Sequence, residues 1–530
     1  MGTTPNSPGV YVDEVPSVGR TIAGVDTSVT AFVGRARCGP TDTPTPIKSF
    51  ADYRRDFGGL WHDSTMSFAV HHFFVHGGTD AIIVRVANGA THSTSTLPAG
   101  EGSFQLRSAT PGAWSRALRV AVDHQVDDGT DPAAFNLTVQ LVDGPEQVTT
   151  GQAKPVVTEE FHNVSVDPDS SREVGTILAL DSALVQVHGT VPEVRPDLTT
   201  AGGSPDVETP RDWVSGDGEG DDGSAITDAQ ISEARLESAG RGLWALDEVQ
   251  QFNLLCIPPL SPNTDVGTTT LATAAGYCSE RRAFLVIDPP RAWSDSAAAE
   301  SGVESLRSDL GAARDHAALY FPWLRMRDPL GERRLTDRAP SGAVAGIIAR
   351  TDASRGVWKA PAGVEATLRG VRGLTVDIDD AANGTLNQKG VNCLRSLDPH
   401  GPVVWGGRTL AGDDRRTSQW RYVPVRRLAL FLEESVDRGT RWAAFEPNGQ
   451  PLWAELRASI DAFLDDLFQQ GAFQGQAASD AYFVKVDSET TTQQDIDLGI
   501  VNIVIGFAPQ RPAEFVILEF QQSAGQNDDA

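Results

Sequence analysis

The chain has 530 residues, 40% of them apolar, and a formal net charge of −27. That is enough for more than one domain with a real buried core, and too acidic for a general nucleic-acid binder, which needs basic surface to displace counterions. No apolar run reaches the roughly 18 residues of a membrane-spanning helix, and the opening MGTTPNSPGVYVDEV has neither a basic nor an apolar leader region, so no secretory signal is expected.

Cys38, Cys256, Cys278 and Cys393 are far apart and form no CxxC pair. That spacing suits a reduced cytosolic protein and argues against a disulfide framework or a structural zinc site. The acid is concentrated in one place. Residues 121–240 hold 24 acidic and 5 basic side chains, a net of −19, leaving −8 for the rest of the chain.

In chain order, PGVYVDEVP (Pro8 to Pro16) alternates apolar and polar side chains and reads as a strand bounded by prolines. TSVTAFVGRA (Thr27 to Ala36) is a second strand. SFADYRRDFGGL (Ser49 to Leu60) opens on a capping serine and stops at a glycine pair, which predicts a short helix. Thr65 to Val86 predicts a helix ending at Gly77-Gly78 and then the strand AIIVRV. Between about residues 89 and 240, Arg116 to Asp123 and Phe135 to Asp143 read as an antiparallel pair. Residues 202–224, acidic and rich in Gly, Ser and Pro, read as an unpacked or disordered loop.

Strand and helix signals then alternate. Phe252 to Pro259, Ala283 to Pro290 and His316 to Met326 read as strands, with Thr268 to Arg281 and Val303 to Arg314 as the intervening helices. That order predicts a mainly parallel sheet covered by helices. Val423 to Gly439 and Pro451 to Phe473 are amphipathic helices, the second carrying Leu452, Leu456, Ile460, Phe463, Leu464 and Leu467 on one face. Strands are predicted at Ala481 to Asp487, Leu498 to Pro509 and Ala513 to Phe520, before a polar tail.

The motifs of common enzyme chemistry are missing: there is no GxxxxGK[ST] and no GxSxG. GDGEG (Gly216 to Gly220) follows no strand. His71, His72 and His76 are the best metal candidates, but they form no HExxH and have no acidic or cysteine neighbour, so the structural reading is preferred. The carboxylate clusters Asp377 to Asp380 and Asp413-Asp414 read as solvated rather than as cation sites. Two competing readings stand: a hydrolase using the α/β section, for which no nucleophile and base can be named, and another self-assembling filament protein. No cofactor, metal or catalytic residue is expected.

The two chain ends carry the sharpest signals for interaction. Val10, Tyr11, Val12 and Val15 lie in a short strand with Pro8 before it and Pro16 after it, which fits an edge position. Phe515, Val516, Ile517, Leu518 and Phe520 form a strand that is apolar on both faces and expects cover on both. Both strands are expected to pair with neighbouring copies of the chain.

Several ordered blocks then resemble one family. Near the start they are PGVYVDEVP, GVDTSVTAFVG, YRRDFGG and HHFFVHGGTDAIIVRV. Later come YFPWLRMRDP, APSGAVAGIIARTDASRGVWKAPAG, LNQKGVNCLR, GPVVWGGRTL, WRYVPVRRL, WAAFEPNGQPLW, AYFVKVD and GFAPQRPAEFVILEF. Together they cover about residues 8–90 and 250–520, and they resemble the contractile tail sheath proteins of myovirus-type phages, phage-tail-like bacteriocins and extracellular contractile injection systems. Both terminal regions lie on one chain, which fits a two-chain type VI secretion sheath less well.

The resemblance implies a structural subunit that polymerises with itself around an inner tube, with baseplate and terminal cap proteins as further partners. It implies no nucleic acid, no membrane insertion, assembly in the cytoplasm and release by lysis. It implies an α/β and α+β multidomain fold: an N-terminal arm (1–20), core (21–90), a β-rich variable outward-facing acidic insertion (91–245), a subtilisin-like α/β sheath domain (246–400), a C-terminal α+β domain (401–512) and a terminal strand with a mobile tail (513–530). Such sheaths grip the tube by charged contacts, and Arg415, Arg416, Arg421, Arg426 and Arg427 are the candidates. The competing reading is that these arginines neutralise acids within the sheath. Likewise RGVWKAPAG and WGGRTL could be core turns.

Overall fold

Brief β-branched and apolar runs, too short for helices, form the centre of the protein's main sheet. The computed structural model describes residues 20–126, 131–144, 153–199, 212–331, 334–415 and 417–514. The chain divides into two units. The larger comprises residues 28–350 and 362–417; the smaller comprises 1–27, 351–361 and 418–530.

The main sheet of the larger unit contains β1 (Thr30–Gly34), β2 (Thr45–Ile47), β3 (Ala81–Arg85), β4 (Leu254–Cys256), β5 (Phe284–Ile287), β6 (Ala317–Phe321), β7 (Val391–Leu397) and β8 (Gly401–Val404), in the order β8-β7-β6-β5-β4-β1-β3-β2. The six strands from β7 to β3 are mutually parallel, and an antiparallel strand closes each edge. Strands buried on both faces should read as continuous apolar runs, and FLVI and AALYF do. The expected helix-covered parallel sheet is therefore present.

Neighbouring residues of one strand serve opposite faces. Ala31 and Val33 pack in a cluster with Leu255, Leu285 and Leu319. Helices α3 (Thr268–Glu280), α4 (Ser296–Leu310) and α6 (Asp380–Gln388) supply Ala274, Val303 and Leu386 to that cluster. Phe32 points the other way and meets Phe73 edge-to-face at 5.6 Å. Phe73 lies on α2 (Thr65–His76), which follows α1 (Phe50–Phe57). The Ser49 hydroxyl caps α1 and Gly58 ends it at φ 79°; Ser64 and Gly77 (φ 112°) do the same for α2. α5 (Ser341–Arg355) packs against α2 through Gly342 and Gly346: a Cβ at Gly342 would lie 2.1 Å from the Ala69 carbonyl oxygen.

Residues 94–215 build two small antiparallel sheets with their own core around Phe104, Val120, Phe135 and Val164. The predicted pair is there, with Leu118 opposite Leu141 and Val122 opposite Leu137. The acidic segment departs from expectation. Its described part, 212–224, is folded rather than loose. Val214 and Ser215 pair antiparallel with Val120 and Arg119, and Thr91 bridges Asp221. The acids here bind backbone. Asp217 accepts from the Ser93 hydroxyl (3.0 Å) and the Thr94 amide (3.1 Å), and Asp222 accepts from the Ala113 amide (2.8 Å). Burial alone would raise the Asp217 carboxyl, but hydrogen bonds from the Glu219 and Thr94 amides and the Ser93 hydroxyl hold it below its ordinary value.

Two predicted strands are shorter in the structure. β6 ends at Phe321, because Pro322 has no amide to donate, and Leu324–Arg327 begins a separate three-stranded sheet. In the predicted strand Leu498 to Pro509, the ladder is confined to Val504–Phe507, with Pro509 bridging Phe473; Val501 and Ile503 instead pack in the cluster of Leu452 and Trp453.

The smaller unit is α+β. Its helices α7 (Val423–Thr440) and α8 (Gln450–Gln469) meet through Leu428, Leu432, Ile460 and Leu464, with Ile22 and Val357 in the same cluster. All six residues predicted for the apolar face of α8 are buried. Tyr482–Lys485 and Val504–Phe507 form a two-stranded antiparallel ladder.

Candidate functional site

The residues singled out for interaction fall in three places. Val10, Tyr11, Val12 and Val15, with Phe515, Val516, Ile517, Leu518 and Phe520, lie outside the described residues, as does Arg416. The other arginines fall in both units: Arg415 belongs to the larger, and Arg421, Arg426 and Arg427 to the smaller.

Arg427 and Arg426 fit the competing reading, in which the arginines neutralise acids of the chain itself. Arg427 is 4% exposed, and its guanidinium grips Asp352 by two contacts, Nη2–Oδ2 at 2.6 Å and Nη1–Oδ1 at 2.9 Å. Nη2 also donates to the Thr27 carbonyl at 2.7 Å, and the Thr27 hydroxyl donates to Asp352 at 2.8 Å. Arg426 is 8% exposed, lies over the Trp420 ring at 4.5 Å and pairs with Glu433 at 3.7 Å. Both arginines sit in the first turns of α7, which is buried there, so their charge is used inside the unit. Arg415 is exposed and pairs with Glu304 at 3.3 Å. Arg421 is half-buried.

His76, Asp379 and Asp380 serve as supports of the fold. His76 Nδ1 lies 2.7 Å from the His72 carbonyl, and its Nε2 accepts the Arg369 amide at 2.9 Å. Burial pushes its pKa down to about 4, so the ring is neutral. Among the described residues no group of His, Cys, Asp and Glu could hold a metal ion. Asp379 caps α6 and Asp380 pairs with Arg395 at 2.8 Å.

Asp413 and Asp414 were expected to be solvated; Asp414 is exposed as expected, and the reading is corrected for Asp413. Asp413 is 6% exposed and bound to buried Arg307 at 2.8 Å, while Asp414 binds Arg408 at 2.9 Å. Arg408 also donates to the carbonyls of Asn387 and Gly412, and the Asn392 side chain bonds its backbone on both sides. WGGRTL is thus a core turn held by buried polar groups. Val357 in RGVWKAPAG is likewise a core residue of the smaller unit.

Where the parallel strands end, Asp288 accepts the Ser341 amide and hydroxyl, each at 2.7 Å. The pair ties the end of β5 to the first turn of α5. Burial pushes the Asp288 carboxyl up to about 7, against the lowering effect of the Ser341 hydrogen bonds. Among the described residues, burial raises all four free thiols, Cys38 to about 11 and Cys393 to about 12, so none is an activated nucleophile.

The smaller unit exposes apolar surface: Phe445 fully, and Phe483, Leu498, Ile500 and Val504 at 43–66%. Phe483 and Val504 lie on the two-stranded ladder, and among the described residues that ladder has no third strand. The sequence reading missed this patch, although the alternation in YFVK carries a signal for it.

Comparison with known proteins agrees with this architecture. Residues 228–410 match the phage tail sheath protein central domain and residues 415–523 the phage tail sheath C-terminal domain. The tail sheath protein of Vibrio phage KVP40 is 26% identical over 189 residues, 36% of this chain and 27% of that protein. A putative prophage major tail sheath protein of Pseudomonas aeruginosa is 24% identical over 280 residues, 52% of this chain and 67% of the relative. The match thus spans about a quarter of the first relative's length and two thirds of the second's.

Among solved structures, the sheath complex of the extracellular contractile injection system PVC in its contracted state aligns over 98% of this chain and 99% of that chain, with TM-score 0.56 and 22% identity. The contracted helical sheath of the anti-feeding prophage aligns over 98% and 100%, with TM-score 0.55 and 24% identity. These likenesses establish a shared fold. With two sheath domains matched in order over more than half of its length, the chain belongs to the phage tail sheath family.

Proposed function

We propose that this chain is the structural subunit of a contractile sheath: it polymerises around an inner tube on a baseplate, and the array shortens and widens to drive the tube through a target envelope. The observation that carries this is the ordered match to both sheath domains, supported by a fold shared over 98% of the chain with subunits of contracted sheaths. The subtilisin-like reading of the α/β section belongs to this proposal, and the parallel sheet with helices on both faces supports it. So does a non-enzymatic role. Asp288 and Ser341 satisfy one another across the ends of β5 and α5, a structural use of two groups that catalysis could otherwise employ.

The two terminal segments link the subunits in this account. Val10 to Val15 and Phe515 to Phe520 pair with strands of neighbouring copies. The ladder Tyr482–Lys485/Val504–Phe507 supports this, because a two-stranded ladder with exposed Phe483 and Val504 is marginal alone and gains from added strands. Each main-chain hydrogen bond adds about 0.5–1.5 kcal/mol net, and links on extended arms can persist while subunit bodies rotate. The acidic insertion faces outward, and Arg415, Arg416 and Arg421 remain the candidates for the tube. Assembly is cytoplasmic, and the particle is a phage tail, bacteriocin or injection system released by lysis.

Negative-stain microscopy of the overexpressed full chain tests the function. Hollow striated tubes are expected. Discrete monomers with hydrolytic turnover would replace this reading with the enzyme.

A further inference from the structure

Leu324–Arg327, Leu335–Arg338 and Val371–Leu374 form a small antiparallel sheet on the larger unit, with Leu324–Arg327 in the middle. Alternation sends neighbouring side chains to opposite faces: Leu324 and Met326 are buried, while Arg325 and Arg327 are exposed. Leu335 lies directly opposite Arg327 and is 50% exposed, and Leu330 in the connecting turn is 46% exposed. The Asp328 amide closes that turn by donating to the Arg334 carbonyl at 2.8 Å.

This hairpin is basic in a chain whose net charge is −27. Arg325 pairs with Asp337 at 3.3 Å, and buried Asp328 is taken by Arg338 at 3.4 Å and His62 at 3.6 Å. Arg327, Arg334 and Arg372 are exposed, and none of the three has an ion-pair partner among the described residues. Arginine beside exposed apolar side chains is the composition of a protein interface. The partner it fits carries acids set among apolar groups.

The chain itself carries such a surface. Within the acidic insertion, residues 193–198 read EVRPDL, an acid followed by an apolar side chain twice over. Glu193 and Asp197 are exposed, and so are Val194 and Leu198, at 53% and 45%. Backbone bonds fix the segment from beneath. The Asp197 amide donates to the Pro98 carbonyl at 2.8 Å and the Thr199 amide to the Val122 carbonyl at 3.2 Å. Arg195 Nη1 donates to the Ala134 carbonyl at 2.8 Å, which commits the segment's cation to the backbone. Its two carboxylates have no ion-pair partner among the described residues.

We propose that the basic hairpin of one copy docks on residues 193–198 of a neighbouring copy. Arg327 and Arg334 meet Glu193 and Asp197, and Leu330 and Leu335 pack on Val194 and Leu198. The two surfaces differ, so the contact is heterologous: it propagates from copy to copy into a ring or helix instead of closing as a dimer. The proposal rests on the reading of the chain as a sheath subunit and names one contact between its copies.

The test is sedimentation of the hollow tubes formed by full-length variants over a range of concentrations. Arg327→Glu with Arg334→Glu should raise the critical concentration for assembly at least about tenfold, because like charges then meet across the contact. Glu193→Lys with Asp197→Lys should do the same, and the quadruple variant, its charges exchanged, should recover most of the loss. Circular dichroism checks each fold. Where a double variant does not fold, assemblies of mixed Arg327→Cys and Asp197→Cys chains replace it, and oxidation should give a covalent dimer on a non-reducing gel; its absence would overturn the proposal. Double variants that assemble like the parent would overturn the contact and leave the sheath reading intact. Loss without recovery in the quadruple variant, or loss only of inner-tube protein from the particles, would give these surfaces to other partners and likewise overturn it. A parent that forms no tubes overturns the sheath reading and the contact together.

Discussion

Arg427 and Asp352, 75 residues apart in the chain, form a two-point ion pair in which each side chain is only 3% exposed. With Thr27 hydrogen-bonded to both, the pair joins the three chain segments of the smaller unit. Removing one partner leaves a buried charge unpaired, at a cost of about 3–5 kcal/mol. Arg427→Met should therefore strip hydrogen-exchange protection from α7, and Arg427→Met with Asp352→Leu should restore most of it. Equal loss in the single and double variants would contradict this.

The close crossing of α2 and α5 depends on two glycines. A Cβ on Gly346 would fall 2.4 Å from the Phe73 carbonyl oxygen, and one on Gly342 would meet Ala69 as closely. These obstacles are backbone and cannot rotate away. Gly342→Ala should cost at least the roughly 1–3 kcal/mol of an overpacked core. Gly384→Ala on α6, where a Cβ meets nothing within 4 Å, should instead stabilise by about 0.5–1 kcal/mol. Thermal melts of the two variants should shift in opposite directions.

Asp288 gives stability a pH dependence with a definite sign. Burial holds its folded pKa at about 7, above the ordinary value of an aspartate. The folded protein therefore holds this proton more tightly. The contribution is fully present below about pH 4 and is lost as pH rises through about 7. Asn at this position can keep both hydrogen bonds to Ser341 and carries no charge. Asp288→Asn should melt higher than the parent at pH 8, and this advantage should shrink by pH 5. An advantage of the same size at both pH values would rule the effect out.

The acidic segment divides into two parts that deletion should separate. Residues 212–224 supply a β-pairing to Val120 and the Asp217 and Asp222 contacts to backbone amides. Removing them should destabilise the fold of residues 94–215 and expose it to protease. Removing 202–211 alone should leave protease resistance unchanged. Equal sensitivity in the two deletions would refute the division.

What could be read in the sequence followed from local rules. Apolar runs such as FLVI, the capping Ser49 and Ser64 and the apolar stripe of α8 declare themselves within a few residues. What misled was partnership over distance. Nothing near Arg427 marks Asp352 as its partner, and nothing near Asp413 marks Arg307, so buried ion pairs read as surface charge. Composition misled at 212–224 because carboxylates can order a segment by binding amides, without burying apolar surface. A cleft lined by His72 on α2 and by Asn263, Arg291 and Trp323 from the segments after β4, β5 and β6 has no signature in any one of these segments.

The central claim, a contractile sheath, is tested most directly by cryo-electron microscopy of particles from cells that make this chain together with its tube and baseplate partners. The account predicts one helical wall of this chain in two states, long and narrow around the tube, then short and wide after triggering. Subunits should be linked by strands at Val10 to Val15 and Phe515 to Phe520 in both. A wall of one fixed length, or a chain that never joins the particle, would contradict it.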